Sequence, residues 1–146
     1  MADQVKKNTL EIFKEKASRA LRRRKSFRTF TMQFPSFAND EDGEPLEIKF
    51  KALSDEEINE VVAYEGEQAN DSDKYAVYIA SVEPSLKDLA LELQKQGEIN
   101  TPLEIMGMFE LHEILEASSI IMKESGVLSD KKVTLKDRAL DNLKNS

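Results

Sequence analysis

The inventory of chemically reactive side chains in this sequence is short. The chain has one histidine, His112, and no cysteine. Zinc sites built from Cys and His, and H-E-x-x-H sites, therefore cannot be assembled from one chain. A lone imidazole within the helical run LHEILE is more often a surface or boundary residue than a catalyst. The five glycines lie far apart and form neither G-x-x-x-x-G-K-S/T nor G-x-G-x-x-G, which excludes a glycine-rich phosphate loop. We expect no catalytic residue, no metal ligand set and no cofactor, and therefore a protein that is not an enzyme.

Carboxylates are abundant, but their spacing singles out no pair for acid–base catalysis. Glu56 and Glu60 are four residues apart, and such pairs usually form a solvated helix face. The acidic run Asn39, Asp40, Glu41, Asp42 and Glu44 lacks the D-x-D-x-D-G-x5-E register of an EF-hand calcium loop. We interpret this run as a turn.

The segment from Leu103 to Met122 has more apolar residues than one face of a helix can bury. Methionine side chains are flexible and polarizable, so they pack against varied apolar partners. This surplus is typical of a groove for a partner's helix, and equally of two helices that share a core and break near Glu110. The residues that we predict to bind a partner are Met106, Met108, Phe109, Leu111 and Met122.

Charge divides the chain into a basic start and an acidic remainder. The first 28 residues contain ten Lys and Arg against three Asp and Glu, a net charge of +7, so the remainder carries −14. A basic segment before an acidic body is typical of a helix that docks on its own body or on a protein partner, and also of a nucleic-acid-binding arm. We favour protein contact because the acidic body repels nearby phosphates. The candidate contact residues are Arg22, Arg23, Arg24 and Lys25.

Hydrophobic periodicity predicts the elements that position these residues. Residues 9–25 form a basic amphipathic helix with Thr9 as its cap. Apolar and polar residues alternate on both sides of Asp42-Gly43, which predicts a β-hairpin over residues 27–53 with its turn at this dipeptide.

From Ser54 onward the apolar spacing is helical. Ser54 and Glu57 form a capping box at the first of four to five short helices. The later helices are expected from Ser72 or Asp73 to Val82, from Ser85 to Lys95 with a stop at Gly97, and from Thr101 to Gly126 with a break near Glu110. We predict an α+β fold, with one domain over residues 1–126, a helical body over 54–126 and a polar, flexible tail over 127–146.

No apolar run approaches the roughly 20 residues of a membrane span, and the N-terminus lacks the apolar core of a signal peptide. We therefore expect the protein to stay in the cytoplasm in which it is made.

The order of motifs is more informative than any one of them. An extended Asp-Gly-x-Pro segment is followed by Ala-Ser-Val-x-Pro-x-Leu-Lys-Asp, by a Gly before Pro-x-Glu, and by a final helix that contains Glu and ends at Gly. The corresponding residues are Asp42, Gly43, Pro45, Ile48, Ala80, Ser81, Val82, Pro84, Leu86, Lys87, Asp88, Gly97, Pro102, Glu104, Glu113 and Gly126. Over about residues 9–126 this succession resembles the XkdN-like phage tail assembly chaperones. It departs from them at Asn100, which is polar where an apolar residue is expected, and in the heavier basic cluster from Arg22 to Lys25.

This resemblance implies a non-enzymatic chaperone, made in the cytoplasm of a bacterial host and absent from the mature virion. Such proteins bind the long, helical, hydrophobic tape measure protein, keep it soluble and help tail tube subunits polymerise around it. In many phages a ribosomal frameshift also produces a longer form of the chaperone, which is a further expected partner. The competing hypothesis is a small nucleic-acid-binding regulator, in which arginines near Phe27 and Phe30 contact single strands.

Overall fold

A computed structural model of the chain describes residues 8–25, 28–39, 41–129 and 131–139. The elements in chain order are α1 (Thr9–Lys25), β1 (Thr29–Phe34), a first 3₁₀ helix (Pro35–Asn39), β2 (Leu46–Lys51), α2 (Asp55–Ala63), α3 (Asp71–Ala80), β3 (Ser81–Glu83), α4 (Leu86–Lys95), a second 3₁₀ helix (Pro102–Met108) and α5 (Leu111–Glu124). The fold is α+β, as the sequence predicts. Residues 127–129 and 131–139 follow α5 without a helix or strand.

The predicted hairpin is formed by β1 and β2, which pair antiparallel from Thr29 opposite Lys51 to Phe34 opposite Leu46. Its alternating apolar residues face the core, where Ile48 and Phe50 are fully buried. The connection is longer than a tight turn because it contains the first 3₁₀ helix. Gly43 has a φ of 69°, a left-handed conformation that favours glycine. Phe27, in the predicted hairpin range, and Asp40, in the acidic run, lie outside the described residues.

The prediction that a helix continues to Val82 is wrong, because the end of that range forms a strand. The helix α3 ends at Ala80, and the next three residues form β3, which pairs antiparallel with β2. Pro84 disfavours helical backbone at the residue before it. The buried Ser81 hydroxyl also accepts a hydrogen bond from the Leu86 N–H (2.8 Å), which holds the chain in this turn. The result is a three-stranded sheet with β2 at its centre.

Two predicted helix starts also need correction. Asn8 caps α1 in place of Thr9, because its Oδ1 accepts a hydrogen bond from the Glu11 N–H (2.8 Å). The helix that follows Thr101 is 3₁₀ rather than α, and it ends at Met108 before the chain restarts as α5. The capping box at Ser54 is confirmed, with both of its hydrogen bonds present.

One hydrophobic core lies between the apolar face of the sheet and the helices α3, α4 and α5. Its largest fully buried side chains are Phe50, Ile48, Leu86, Met106, Ile121 and Val77. The helices α3 and α5 pack against each other, and the second 3₁₀ helix contacts α3 and α4. The core therefore joins the sheet to α5, the helix that carries two of the five predicted partner-binding residues, Leu111 and Met122.

Candidate partner-binding surfaces

Two of the five predicted partner-binding residues are core residues. The side chains of Met106 and Phe109 are only 1% and 7% exposed. The Phe109 ring lies 4.7 Å from that of Phe34 and 5.9 Å from that of Phe37, measured between ring centroids. Met108 is partly buried and packs against the same core. The core-packing interpretation therefore applies to Met106 and Phe109, which present no surface to a partner.

The other two predicted residues, Leu111 and Met122, lie on one flank of α5 together with Leu115. At about 100° per residue, these three positions fall within roughly 40° of one another around the helix. Leu111 and Leu115 are half exposed, and Met122 is partly buried. We call this set the α5 stripe. It borders the buried side of the helix and is the part of the predicted surface on α5 that remains accessible to solvent.

The buried carboxylate of Glu113 fixes the start of α5. It accepts hydrogen bonds from the Ser36 hydroxyl (2.7 Å), the Ser36 N–H (3.0 Å) and the Glu110 N–H (3.0 Å). Burial raises the pKa of Glu113, but these hydrogen bonds outweigh it and hold the pKa below its usual value. A single side chain thus caps α5 and joins it to the segment that follows β1.

Two buried serines fix the rest of α5. The Ser118 hydroxyl donates to Asp73 Oδ1 (2.8 Å) and so links α5 to α3. The Ser125 hydroxyl accepts from the Leu53 N–H (2.8 Å), which links the end of α5 to the segment after β2. Sequence analysis missed these roles. The available signal was the polar residues Glu113 and Ser118 inside an otherwise apolar helix face.

The helix α1 has the opposite environment. Every side chain from Thr9 to Arg23 is exposed except Ala20, which is partly buried. Leu10, Phe13 and Leu21 are 75%, 63% and 62% exposed, and they share one face of the helix. We call these three residues the α1 stripe.

The basic residues of the predicted contact arm lie on this same helix. Arg22 and Arg23 are exposed, and Arg22 donates a hydrogen bond to the Ser18 hydroxyl (3.2 Å). The side chains of Arg24 and Lys25 lie outside the described part of the structure. The α1 helix therefore presents an apolar stripe next to positive charge.

The remaining chemical candidates make only local contacts in the described part of the chain. His112 is exposed, and its Nδ1 lies 3.4 Å from Glu116 Oε2. Asp42 Oδ1 accepts from the Glu44 N–H (3.0 Å), a hydrogen bond typical of a turn. Among the described residues, no three His, Asp or Glu side chains converge on a metal site.

In the same part of the chain, no helix combines the length and apolar character that crossing a membrane requires.

Comparison with known proteins assigns no family. No protein-family profile, curated protein or solved structure matches the chain. The resemblance to XkdN-like chaperones therefore rests on the order of the sequence motifs alone.

Proposed function

We propose that this chain is a phage tail assembly chaperone that binds the tape measure protein in the bacterial cytoplasm and keeps it soluble. The observation that carries the proposal is the α1 stripe, three large apolar side chains left in solvent on a well-formed helix. Contiguous exposed apolar surface is costly in water and marks a site that another molecule covers.

The chemistry of the α1 stripe fits an amphipathic or apolar helix. Leu10, Phe13 and Leu21 recur at helical spacing, which is how one helix presents anchors to another. The flanking basic residues favour a partner helix that carries acidic residues beside its apolar ones. A long helical tape measure protein offers such segments repeatedly, and an acidic body keeps the complex dispersed by charge repulsion.

The α5 stripe supports the same proposal from the folded body. Leu111, Leu115 and Met122 stand on a helix that Glu113 and the buried serines hold in place. A rigid apolar flank binds without losing much conformational entropy. In this proposal α1 and the α5 stripe hold the tape measure protein, the assembled complex recruits tail tube subunits, and the chaperone leaves before the virion is complete. A frameshifted longer form would share both surfaces.

The test is co-expression of the chain with tape measure fragments, with the soluble fraction of the fragment as readout. We expect Phe13→Glu to lower the soluble fraction several-fold, because a charge in an apolar interface is strongly unfavourable. The matched control is Ile12→Glu, which makes the same kind of change about 100° around the helix from Phe13, outside the α1 stripe.

Both variants should fold, since both side chains are exposed and exposed substitutions rarely change stability by more than about 0.5 kcal/mol. Equal solubilisation by the wild type and Phe13→Glu would remove α1 from the proposal. No solubilisation by the wild type would reject the chaperone function.

A nucleic-acid-binding regulator is the second candidate, and the exposed Arg22 and Arg23 favour it. Binding through phosphate contacts alone should weaken steeply with salt. Fluorescence anisotropy with single-stranded DNA and RNA over a salt series measures this dependence. Sequence-specific, nanomolar binding near about 150 mM salt would support the regulator over the chaperone.

A further inference from the structure

The strand β1 has a free edge that offers backbone hydrogen-bonding groups. In the described sheet, β1 neighbours only β2. The Ala52 N–H donates to the Arg28 carbonyl (2.9 Å), so these two opposite residues form a hydrogen-bonded pair. Hydrogen-bonded and non-hydrogen-bonded pairs alternate along an antiparallel ladder. The backbone groups of Phe30, Met32 and Phe34 therefore point towards β2. Those of Thr29, Thr31 and Gln33 point towards the free edge, and their side chains are exposed.

A mostly apolar groove of about 300 Å³ lies between β1 and α5. Its lining includes Met32, Phe34, Ala117, Ile120 and Glu116. Arg28 contacts Glu124 at one end of β1 (3.3 Å, Nη1 to carbonyl oxygen), and Ser36 contacts Glu113 at the other. The strand and the helix therefore run side by side in opposite directions. Arg28, which also lies 3.8 Å from Glu124 Oε2, stands at one end, and the carboxylate of Glu116 lies near the Phe34 end.

The segment from Lys131 to Asp137 has the pattern of a strand but is unpaired. Val133 is fully exposed and Leu135 is 72% exposed. In extended backbone the side chains of residues 131, 133, 135 and 137 share one face, which is apolar in the middle and charged at its ends. The opposite face carries Lys132, Thr134 and Lys136.

We propose that residues 131–137 of a second copy of this chain add to the free edge of β1 as an antiparallel strand, with Thr134 opposite Thr31. In this register Val133 lies beside Met32 and enters the groove, and Leu135 lies beside Phe30 at the end of the groove. Asp137 lies opposite Arg28, and Lys131 lies opposite Phe34 near Glu116. A parallel strand would instead bring Lys131 to Arg28 and Asp137 to Glu116, which places like charges together.

Chain length assigns this strand to a second copy. Ser125 is held beside Leu53 (2.8 Å, Oγ to N), close to the start of β1. From there to Lys131 the chain spans at most roughly 20 Å, about the length of a six-residue strand. To pair antiparallel with β1 of its own chain, the segment between Ser125 and Lys131 would have to span the whole length of β1 and then reverse direction. Such a reversal needs at least about two further residues. Reciprocal exchange between two copies satisfies both edges in a two-fold dimer.

The absence of cysteine allows a direct test of register. Thr31→Cys and Thr134→Cys proteins, carrying different affinity tags, are mixed and oxidised. Directly opposite residues in a hydrogen-bonded antiparallel pair have Cα atoms about 5.5 Å apart, which suits a disulfide. We expect a mixed covalent dimer on a non-reducing gel. The control, Ser129→Cys in place of Thr134→Cys, should form it far more slowly.

The same pair placed in one chain distinguishes the source of the strand. The double variant Thr31→Cys with Thr134→Cys should oxidise to a covalent dimer. An intrachain disulfide in a monomer would overturn the second-copy assignment. If Ser129→Cys and Thr134→Cys cross-link equally well to Thr31→Cys, the proposed register is wrong.

Sedimentation equilibrium tests the contribution of the apolar pair. Val133→Asn with Leu135→Asn should raise the dimer dissociation constant at least about tenfold, because two apolar side chains lose their burial. The matched control is Val127→Asn with Leu128→Asn, a half-exposed apolar pair of the same tail outside the proposed strand, which should leave it unchanged. Thr31→Pro should also weaken the dimer, because it removes a free-edge donor without touching the β1–β2 ladder.

Charge exchange tests the orientation of the strand. Glu116→Lys and Lys131→Glu should each weaken the dimer roughly two- to fivefold, and the double variant should recover it. A wild-type chain that stays monomeric at millimolar concentration, or a dimer that ignores the tail variants, would reject the inference. Neither result affects the proposed function, because the tail variants leave α1 and the α5 stripe intact.

Discussion

The helices α1 and α5 are both amphipathic, yet only α5 is packed into the protein. In α5 the apolar residues Ile114 and Ile121 are buried, and polar residues on the same side make specific hydrogen bonds to other elements. In α1 the apolar residues Leu10 and Phe13 remain in solvent. An amphipathic pattern thus shows that a helix has an apolar face to cover. Buried polar residues that bond to other elements show that the same chain covers that face. We expect the partner of α1 to be another molecule.

The largest expected contrast is between the core phenylalanine Phe50 and Phe13 of α1. Phe50→Ala should lower the free energy of unfolding by about 3–5 kcal/mol, because it removes a fully buried ring and leaves a cavity. Phe13→Ala should change it by about 0.5 kcal/mol or less. Urea unfolding followed by circular dichroism measures both. A comparable loss for Phe13→Ala would show that α1 packs on its own chain.

The next contrast is between Glu113 and Glu116, which lie three residues apart on α5. Glu113→Ala should cost about 1–3 kcal/mol in unfolding free energy, because it leaves the Ser36 and Glu110 N–H groups without their acceptor. Glu116→Ala should cost less than about 0.5 kcal/mol, since its side chain is largely exposed. Equal losses in urea unfolding would mean that the Glu113 hydrogen bonds contribute nothing specific.

Glu113 also predicts a dependence of stability on pH. Its pKa in the folded protein is lower than its unfolded value near 4.5, so the folded state favours the charged carboxylate. The resulting stability is fully present above pH 4.5 and is lost as the pH falls through the folded pKa. Glu113→Gln should therefore flatten the fall in melting temperature over this acidic range. An unchanged profile would assign the acid sensitivity to other carboxylates such as Glu57, whose pKa is also lowered.

The last contrast is between Met108, at the boundary between the core and the surface, and Met106, inside the core. Under the proposed chaperone function, Met108→Glu should cost about 1 kcal/mol in stability but reduce tape measure capture more strongly, because only part of the side chain is buried. Met106→Glu, with its side chain in the core, should unfold the protein. Unchanged capture with a collapsed melting temperature for Met108→Glu would assign Met108 wholly to the core.

Much of the fold was predictable because local chemistry specifies it. The alternation in β1 and β2 and the capping box at Ser54 depend on residues within a few positions of each other. The candidate site was less predictable. Met106 and Leu111 looked alike in sequence, yet Met106 entered the core and Leu111 remained half exposed. Which apolar residues of a surplus are buried depends on the volume left between the sheet and the helices, and sequence spacing carries no information about that volume.

The sequence by itself determined the α+β class, the amphipathic basic helix, the hairpin and the absence of a Cys–His zinc ligand set, since each follows from residue type and short-range spacing. Only the tertiary structure decided that Ser81–Glu83 joins the sheet, because its pairing with Lys49 and Phe50 lies more than 30 residues away along the chain. The tertiary structure also made Glu113 a buried anchor, through Ser36, which is 77 residues distant in sequence. Long-range pairing and burial depend on which elements meet in space. The helix α1 is exposed because no described element of its own chain covers the α1 stripe.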